Sequence, residues 1–480
     1  MNILFVASEA VPFAKTGGLA DVAGILPRIM AKTETVSLFI PDYQTEPIER
    51  ISALIVDRFL VKIGNRNFPA LIKRKNIGKN FHIFFVSQEL FFARKFLYGD
   101  SSGDYLDNFY RFLFFQLAIV EFVKRNKMSF DIVQLNDWQT ALIPLFLKLQ
   151  AVEPELKRAI TFLTIHNLGY QGVFDSFYFK EIGLPDYLFS PEYLEFYGGI
   201  NFLKGGIVFA DHLLTVSPTY AKEIMTPEMG FGLDGLLKKY AFKLSGILNG
   251  VDYSLWDPRR DPLIFRRYSP ASLSRKKKNK IRIFEEFGIS YDARRPLVVV
   301  ITRLAVQKGI ELLFEAFSEL MKEDLFLMIL GTGDRIFEEK LKKLAASFKI
   351  KMKFFNFFDE KMAHRLEAAA DILLMPSLYE PCGLNQMYSL KYGTVPVVRA
   401  TGGLDDTVED FDKITRTGTG FKFREIDRNC FLSAVYRALE LYPDKENWET
   451  IQRNGMAADF SWDRAAGEYV TLYKKMLAQE

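Results

Sequence analysis

Cysteine is almost missing: Cys382 and Cys430 are all that 480 residues hold. They allow no disulfide framework and no Cys-x-x-Cys metal site, a usage that fits a reducing cytosol. Charge of one sign is also scarce. The 63 basic and 59 acidic residues leave a net +4, too even for nucleic acid or a membrane as the main partner. The longest apolar stretch, Phe109 to Val123, carries Arg111, Gln116 and Glu121 and is too short and too interrupted to span a bilayer. The N-terminus has no basic n-region or cleavage site and enters an apolar run at once, so it does not read as a signal peptide, and the expected location is cytoplasmic. No Walker loop, G-x-G-x-x-G fingerprint, nucleophile elbow or H-E-x-x-H occurs. A D-x-D at Asp410-Phe411-Asp412 lies in a charged loop rather than at a strand edge, so no metal is assigned to it, and no cofactor is expected. The densest basic run, Arg275 to Lys280, is short and without interleaved aromatics; it reads as a solvated helix start.

What is present is an ordinary globular balance, 49% apolar and 25% charged, in a chain long enough for roughly two or three domains. Its 45 phenylalanines read as aromatic-rich cores. Short β-branched or aromatic runs alternate with helical patterns: Val36–Ile40, Phe81–Val86, Ile132–Leu135, Ala159–Ile165, His212–Val216, Leu297–Ile301, Leu325–Leu330, Lys353–Phe355, Ile372–Met375 and Val395–Val398. Such alternation predicts parallel sheets covered by helices. The pattern restarts at Pro296–Ile301, which runs into a cation-bearing loop and then a helix, as the opening strand does. The fold class is therefore α/β, with two Rossmann-like halves. Turn signals at Leu248–Asp252 and Trp256-Asp257-Pro258 set the domains at 1–245 and 246–458, with 459–480 as a terminal helix packing back on the first.

Candidate chemistry falls just past strand ends, where open α/β sheets bind ligands. Lys15-Thr16-Gly17-Gly18-Leu19-Ala20-Asp21-Val22 reads as a glycine-rich turn into a helix. The paired glycines allow close backbone approach, and N–H groups at a helix start attract anions. A tight turn with an incidental lysine is the plain alternative. Arg303 and Lys308 share the corresponding loop of the second half; arginine binds phosphate bidentately and lysine as a point charge. With Lys15 they suggest a diphosphate clamp. In Tyr379-Glu380-Pro381-Cys382-Gly383-Leu384-Asn385-Gln386 the carboxylate suits sugar hydroxyls and the amides at a helix start suit a phosphate. Cys382 reads as packed rather than nucleophilic. Asn136-Asp137-Trp138 and Thr164-Ile165-His166-Asn167-Leu168 also end strands; taken alone, His166 reads as a satisfied structural histidine.

With Phe96–Asp100, Gly103–Tyr105, Phe202–Gly206, Val216–Ala221, Leu330–Asp334 and Thr401–Leu404, these motifs run in order through nearly the whole chain. In them the sequence resembles the bacterial glycogen synthases and plant starch synthases, retaining glucosyltransferases of the GT-B fold, whose two Rossmann-like domains face a central cleft. The resemblance implies ADP-glucose as donor and the non-reducing end of an α-1,4-glucan as acceptor. It implies that Lys15, Gly18, Arg303 and Lys308 contact the ADP phosphates, with Gly17 beside them, and that His166 sits at the glucose with its carbonyl near the anomeric carbon. Glu380 is expected on the glucose hydroxyls and the Gly383 and Leu384 amides near the donor, flanked by Cys382 and Asn385. Asp21, Asp137, Asn167 and Asn249 are expected to line the site, and Phe358 to stack on adenine. Three positions depart from the family pattern: Gln139 for the usual histidine, Phe358 for the usual tyrosine, and a short Lys32–Thr35 loop where a Gly-His turn is common. The competing readings are another chemistry on the same fold, such as a UDP-glucose transferase or a nucleotide-sugar epimerase, and a catalytically silent glucan-binding homologue. The K-T-G-G-L-A-D and E-P-C-G-L motifs together count against the first; intact Lys15, Arg303, Lys308 and Glu380 count against the second.

Overall fold

The computed structural model describes residues 1–44, 53–100, 103–149, 159–357 and 359–479. The chain divides into two compact units. One holds Met1–Val216, Ala221–Ile247 and the terminal segment from Trp462; the other holds Ser217–Tyr220 and Leu248–Ser461.

The first unit is built on a nine-stranded sheet. Its strands are β1 Asn2–Val6, β2 Thr35–Pro41, β3 Leu54–Ile63, β4 Arg66–Ile77, β5 Phe81–Ser87, β6 Ile132–Asn136, β7 Ile160–Ile165, β8 His212–Thr215 and β9 Leu244–Gly246. They lie in the order β9-β8-β7-β6-β1-β2-β5-β4-β3. All pairings from β9 to β5 are parallel, while the hairpin β3–β4 adds on antiparallel. The winding direction reverses between β1 and β6, which is where a doubly wound sheet opens a crevice at its carboxyl edge. Helix α1, Gly18–Met30, lays Leu19, Val22, Leu26 and Met30 against the sheet. Helix α2, Asn108–Arg125, spends its phenylalanines inward: Phe109, Phe112, Phe114 and Phe115 are fully buried. The interrupting Arg111 is buried with them because three acceptors meet it, the carbonyls of Phe91 and Leu97 and Asn108 Oδ1, at 2.6 to 2.8 Å.

In the second unit, β10 Leu297–Ile301, β11 Phe326–Leu330, β12 Met352–Phe355, β13 Ile372–Met375, β14 Val395–Arg399 and β15 Phe421–Phe423 form one all-parallel sheet. Its order, β12-β11-β10-β13-β14-β15, is the 3-2-1-4-5-6 winding of a dinucleotide-binding fold, with the reversal between β10 and β13. Apolar clusters cover both faces, which is why the strands read as continuous Val, Ile, Leu and Phe runs.

The basic run is the point where the sequence expectation fails. It opens helix α3, Lys276–Glu286, but only Arg275, Lys277 and Lys278 face solvent. Lys276 is buried, its ammonium donating to the carbonyls of Glu367 and Ala368 and to Thr394 Oγ1; Lys280 is buried against Asp371 at 2.6 Å. Helical spacing puts residues 276, 279 and 280 on the inward face whatever their charge, and each buried ammonium is there because acceptors surround it. The terminal helix, Trp462–Leu477, packs in the first unit, where Trp462, Ala465, Tyr469 and Tyr473 join the core beneath α1. Tyr473 closes the contact by donating to Gln134 Oε1 at 2.7 Å.

Candidate functional site

Both switch points carry polar side chains at their carboxyl edges. In the first unit, β1 ends at Val6 and is followed by Ser8 and Glu9. Glu9 is buried and its carboxylate accepts from Thr16 N at 2.5 Å, Thr16 Oγ1 at 2.9 Å and the Gly17 N–H. Burial raises Glu9 to about 7 against the lowering effect of those bonds. The glycine turn is thus folded around a carboxylate. The amides of Thr16 and Gly17 are spent on it, while Gly18, the first residue of α1, faces open space. Lys15 points outward and pairs with Asp21 at 2.7 Å, half exposed. A cleft of about 480 Å3 lies beside the turn, lined by Phe13, Lys15, Thr16, Phe96 and Tyr98 among others.

Across the switch, β6 ends at Asn136 and Asp137. Asp137 has φ +57 with ψ −176, outside the left-handed helical region and in a strained conformation that glycine alone adopts readily. Its buried carboxylate accepts from His166 N at 2.7 Å and from the Asn167 N–H, and burial pushes it up to about 7, with Glu9 adding a small repulsion. Asn136 Nδ2 donates to the Val6 carbonyl at 2.8 Å, so its Oδ1 is the acceptor facing His166 Nε2 at 2.9 Å. That assigns the His166 proton to Nε2 and leaves Nδ1 as the acceptor nitrogen. Burial holds the ring neutral, at about 3. The ends of β1, β6 and β7 are therefore tied into one layer bearing Glu9, Asp137, His166 and Asn167. Gln139 sits just beyond, buried, with Oε1 unpartnered.

In the second unit the loop after β10 carries Arg303 and Lys308 and leads into helix α4, Ile310–Leu320. Gly309 stands at φ +68, and a Cβ there would lie 1.8 Å from the Pro376 carbonyl oxygen. Only glycine lets this loop press against the turn after β13. Two further bonds stitch the loops: Leu378 N donates to the Gln307 carbonyl at 2.8 Å, and Gln307 Nε2 to the Tyr379 carbonyl at 3.2 Å. The result is a partly buried ion pair. Lys308 Nζ donates to both oxygens of Glu380, at 2.8 and 2.6 Å, and Ser377 Oγ adds a third bond at 3.0 Å. Arg303, by contrast, is exposed and has no side-chain partner among the described residues.

Beyond Glu380, Gly383 takes φ +72 and Asn385 opens helix α6, Asn385–Tyr392, donating from Nδ2 to the Ile301 carbonyl at 2.5 Å. (The helix between them in order, α5, is Glu360–Ala369.) The N–H groups of Gly383 and Leu384 donate to no acceptor among the described residues. Cys382 is buried and its thiol is pushed up to about 12, so it is not a thiolate nucleophile. It accepts instead from the Asn249 N–H, which brings Asn249 beside the same loop with its own Oδ1 buried and unpartnered.

Each unit thus collects its own part of the predicted set: Lys15, Gly17, Gly18, Asp21, Asp137, His166 and Asn167 in one, Asn249, Arg303, Lys308, Glu380, Cys382, Gly383, Leu384 and Asn385 in the other. Phe358 lies outside the described residues. The carboxylates of the D-x-D are occupied, Asp410 by Arg437 at 2.7 Å and by the Lys422 N–H, Asp412 by the amides of Ile414 and Thr415. Sequence reasoning passed over Glu9 and Ser377. Glu9 had a usable signal, a carboxylate three residues beyond a buried strand on the same edge as the other candidates.

Known proteins resemble this chain over nearly its whole length. Residues 2–239 match the family model of the starch synthase catalytic domain, and residues 282–454 that of glycosyl transferases group 1. The glycogen synthase of Koribacter versatilis is 44% identical over 99% of this chain and 98% of its own, and that of an Anaeromyxobacter strain is 46% identical over 100% of both. Among solved structures, the catalytic domain of starch synthase IV from Arabidopsis thaliana, bound to ADP and acarbose, is 31% identical with a TM-score of 0.90 over 99% of both chains. The sucrose-phosphate synthase of Thermosynechococcus elongatus, 17% identical with a TM-score of 0.61, shares the fold.

Proposed function

The chain belongs to the glycogen and starch synthase family of GT-B glycosyltransferases, and from that premise we propose that it transfers glucose from ADP-glucose to the non-reducing end of an α-1,4-glucan, with retention of configuration and release of ADP. The observation that carries this reading is the pairing of cations, free amides and a compensated carboxylate at the second unit's switch point.

In this proposal Arg303, Lys308 and the amides of Gly383 and Leu384 take the diphosphate, flanked by Cys382 and Asn385. Cleavage of the glucose C1–O bond leaves charge on the departing ADP, and a preorganised donor aimed at developing charge is typically worth about 3 kcal/mol of the barrier. Glu380 holds the sugar. Three hydrogen bonds from Lys308 and Ser377 already converge on it, which lowers its nucleophilicity while leaving lone pairs for glucose hydroxyls. Its role is therefore orientation, and the acceptor hydroxyl attacks from the leaving-group side, giving its proton to a phosphate oxygen. Mass spectrometry of a glucosyl-Glu380 adduct would overturn that assignment.

Residues of the first unit serve the sugars and the acceptor. His166, neutral and fixed by Asn136, presents its carbonyl toward the anomeric carbon. Asp21, Asp137 and Asn167 line the acceptor side, Asn249 lines the donor side, and Lys15 with the Gly17-Gly18 turn adds phosphate contacts. Phe358 is assigned to the adenine. The enzyme works in the cytoplasm, where both thiols stay reduced. Purified protein given ADP-glucose or UDP-glucose with glycogen tests the whole reading through nucleotide release and polymer growth. ADP release with chain extension supports it; preference for UDP-glucose, or no turnover with either, refutes it.

A further inference from the structure

Gln386 is absorbed by none of the roles above, yet it lies fully buried beneath the loop that carries the free amides. Its Nε2 donates to the Cys382 carbonyl at 3.0 Å, the Gly383 carbonyl at 3.2 Å and Thr407 Oγ1 at 3.1 Å. The amide orientation is determined, because Thr407 has already given its hydroxyl proton to the Gly403 carbonyl and can only accept. Oε1 consequently has no partner; it lies where a Cβ on Gly383 would come within 2.6 Å. An unpartnered buried oxygen is a cost, and it is borne so that the nitrogen can face two successive carbonyls.

In a trans peptide the C=O of one residue and the N–H of the next point in opposite directions. Drawing the Cys382 carbonyl inward turns the Gly383 N–H outward, and drawing in the Gly383 carbonyl turns out the Leu384 N–H. In an extended strand consecutive peptides alternate in direction; Gly383, left-handed at φ +72 just ahead of the helix, is the residue about which these two are turned the same way. We propose that Gln386 is the positioning residue of the donor-phosphate site: its side-chain amide sets both backbone N–H groups toward the phosphates of a nucleoside diphosphate. The proposal rests on the donor assignment above.

The test is equilibrium binding of ADP alone, beside steady-state kinetics. Gln386→Met keeps the volume and removes the donor, so ADP affinity falls about tenfold and KM for ADP-glucose rises in step, while KM for glycogen stays unchanged. Gln386→Glu adds a pH signature. Its ionised form repels both carbonyls, whereas its protonated form donates one bond, so its ADP affinity relative to the native protein recovers as pH falls. A merely structural role would lower the unfolding midpoint and affect glycogen and ADP-glucose alike, without this recovery. Folded Gln386→Met binding ADP within about twofold of native overturns the proposal. If neither variant folds, amide hydrogen exchange on the native protein decides: ADP slows exchange at Gly383 and Leu384 if the proposal holds, and unchanged exchange refutes it. A native protein that binds no ADP refutes the donor assignment instead, so the two failures are separable.

Discussion

The two switch points occupy the same place in two similarly wound sheets and use opposite electrostatics. In the first unit carboxylates occupy loop amides: Glu9 takes the N–H groups of Thr16 and Gly17, and Asp137 takes those of His166 and Asn167. In the second a cation occupies the carboxylate, Lys308 on Glu380, and the loop amides of Gly383 and Leu384 are left over. The first arrangement presents acceptors and a neutral imidazole, which suits hydroxyls. The second presents N–H donors and Arg303, which suits phosphate. Fold topology says where a ligand goes, and the pairing of loop amides says which kind.

The sharpest break in this comparison comes from the cations of the second unit. Arg303→Ala and Lys308→Ala should each lower turnover about 10²- to 10³-fold with little change in glycogen KM. Near-normal turnover in either removes the electrostatic argument. Lys308→Ala should also destabilise the fold, since it strands Glu380 in a buried position. Next in size is Gly309→Ala. A methyl group 1.8 Å from the Pro376 oxygen at φ +68 forces the stitched loops apart, at a cost of about 1–3 kcal/mol in denaturant unfolding. The first unit should be more forgiving. Lys15 is half exposed and its bond to Asp21 is worth at most about 1 kcal/mol, so Lys15→Ala should leave the unfolding midpoint in place while weakening ADP-glucose use about tenfold.

The smallest effect is a pH slope. Burial raises Glu9 from 4.5 to about 7 and Asp137 from 3.8 to about 7. Their folded values exceed the unfolded ones, so the stability they contribute is complete below the unfolded values and is lost as pH rises toward 7. Glu9→Gln should flatten the decline in unfolding midpoint between pH 4.5 and 7, both by removing one titration and by relieving Asp137 of its charged neighbour. An unchanged slope would remove Glu9 from the account.

Much of this was legible in residue order. All ten anticipated strands are present, and Trp462–Leu477 is helical as expected. The hairpin Leu54–Ile63 with Arg66–Ile77 was not anticipated. It lies at the sheet edge with one face wet, carries Pro69 and several charges, and so lacks the continuous apolar run that marks the central strands. Glu9 and Gln386 were underread for a different reason. Their importance lies in partners seven and three or four residues away across a turn, and nothing in composition or period reports which backbone groups a side chain will meet.

The alternation of apolar runs and helical faces, the restart at Pro296–Ile301, and the residue types at strand ends were set by local sequence, because buried parallel strands and covering helices each impose a period on the chain. Which amides are spent and which remain, that Lys308 is held by Glu380, and that two lysines of a basic run are buried were decided only by folding. Those properties depend on which donor meets which acceptor once water is excluded, and exclusion is an outcome of the packed structure.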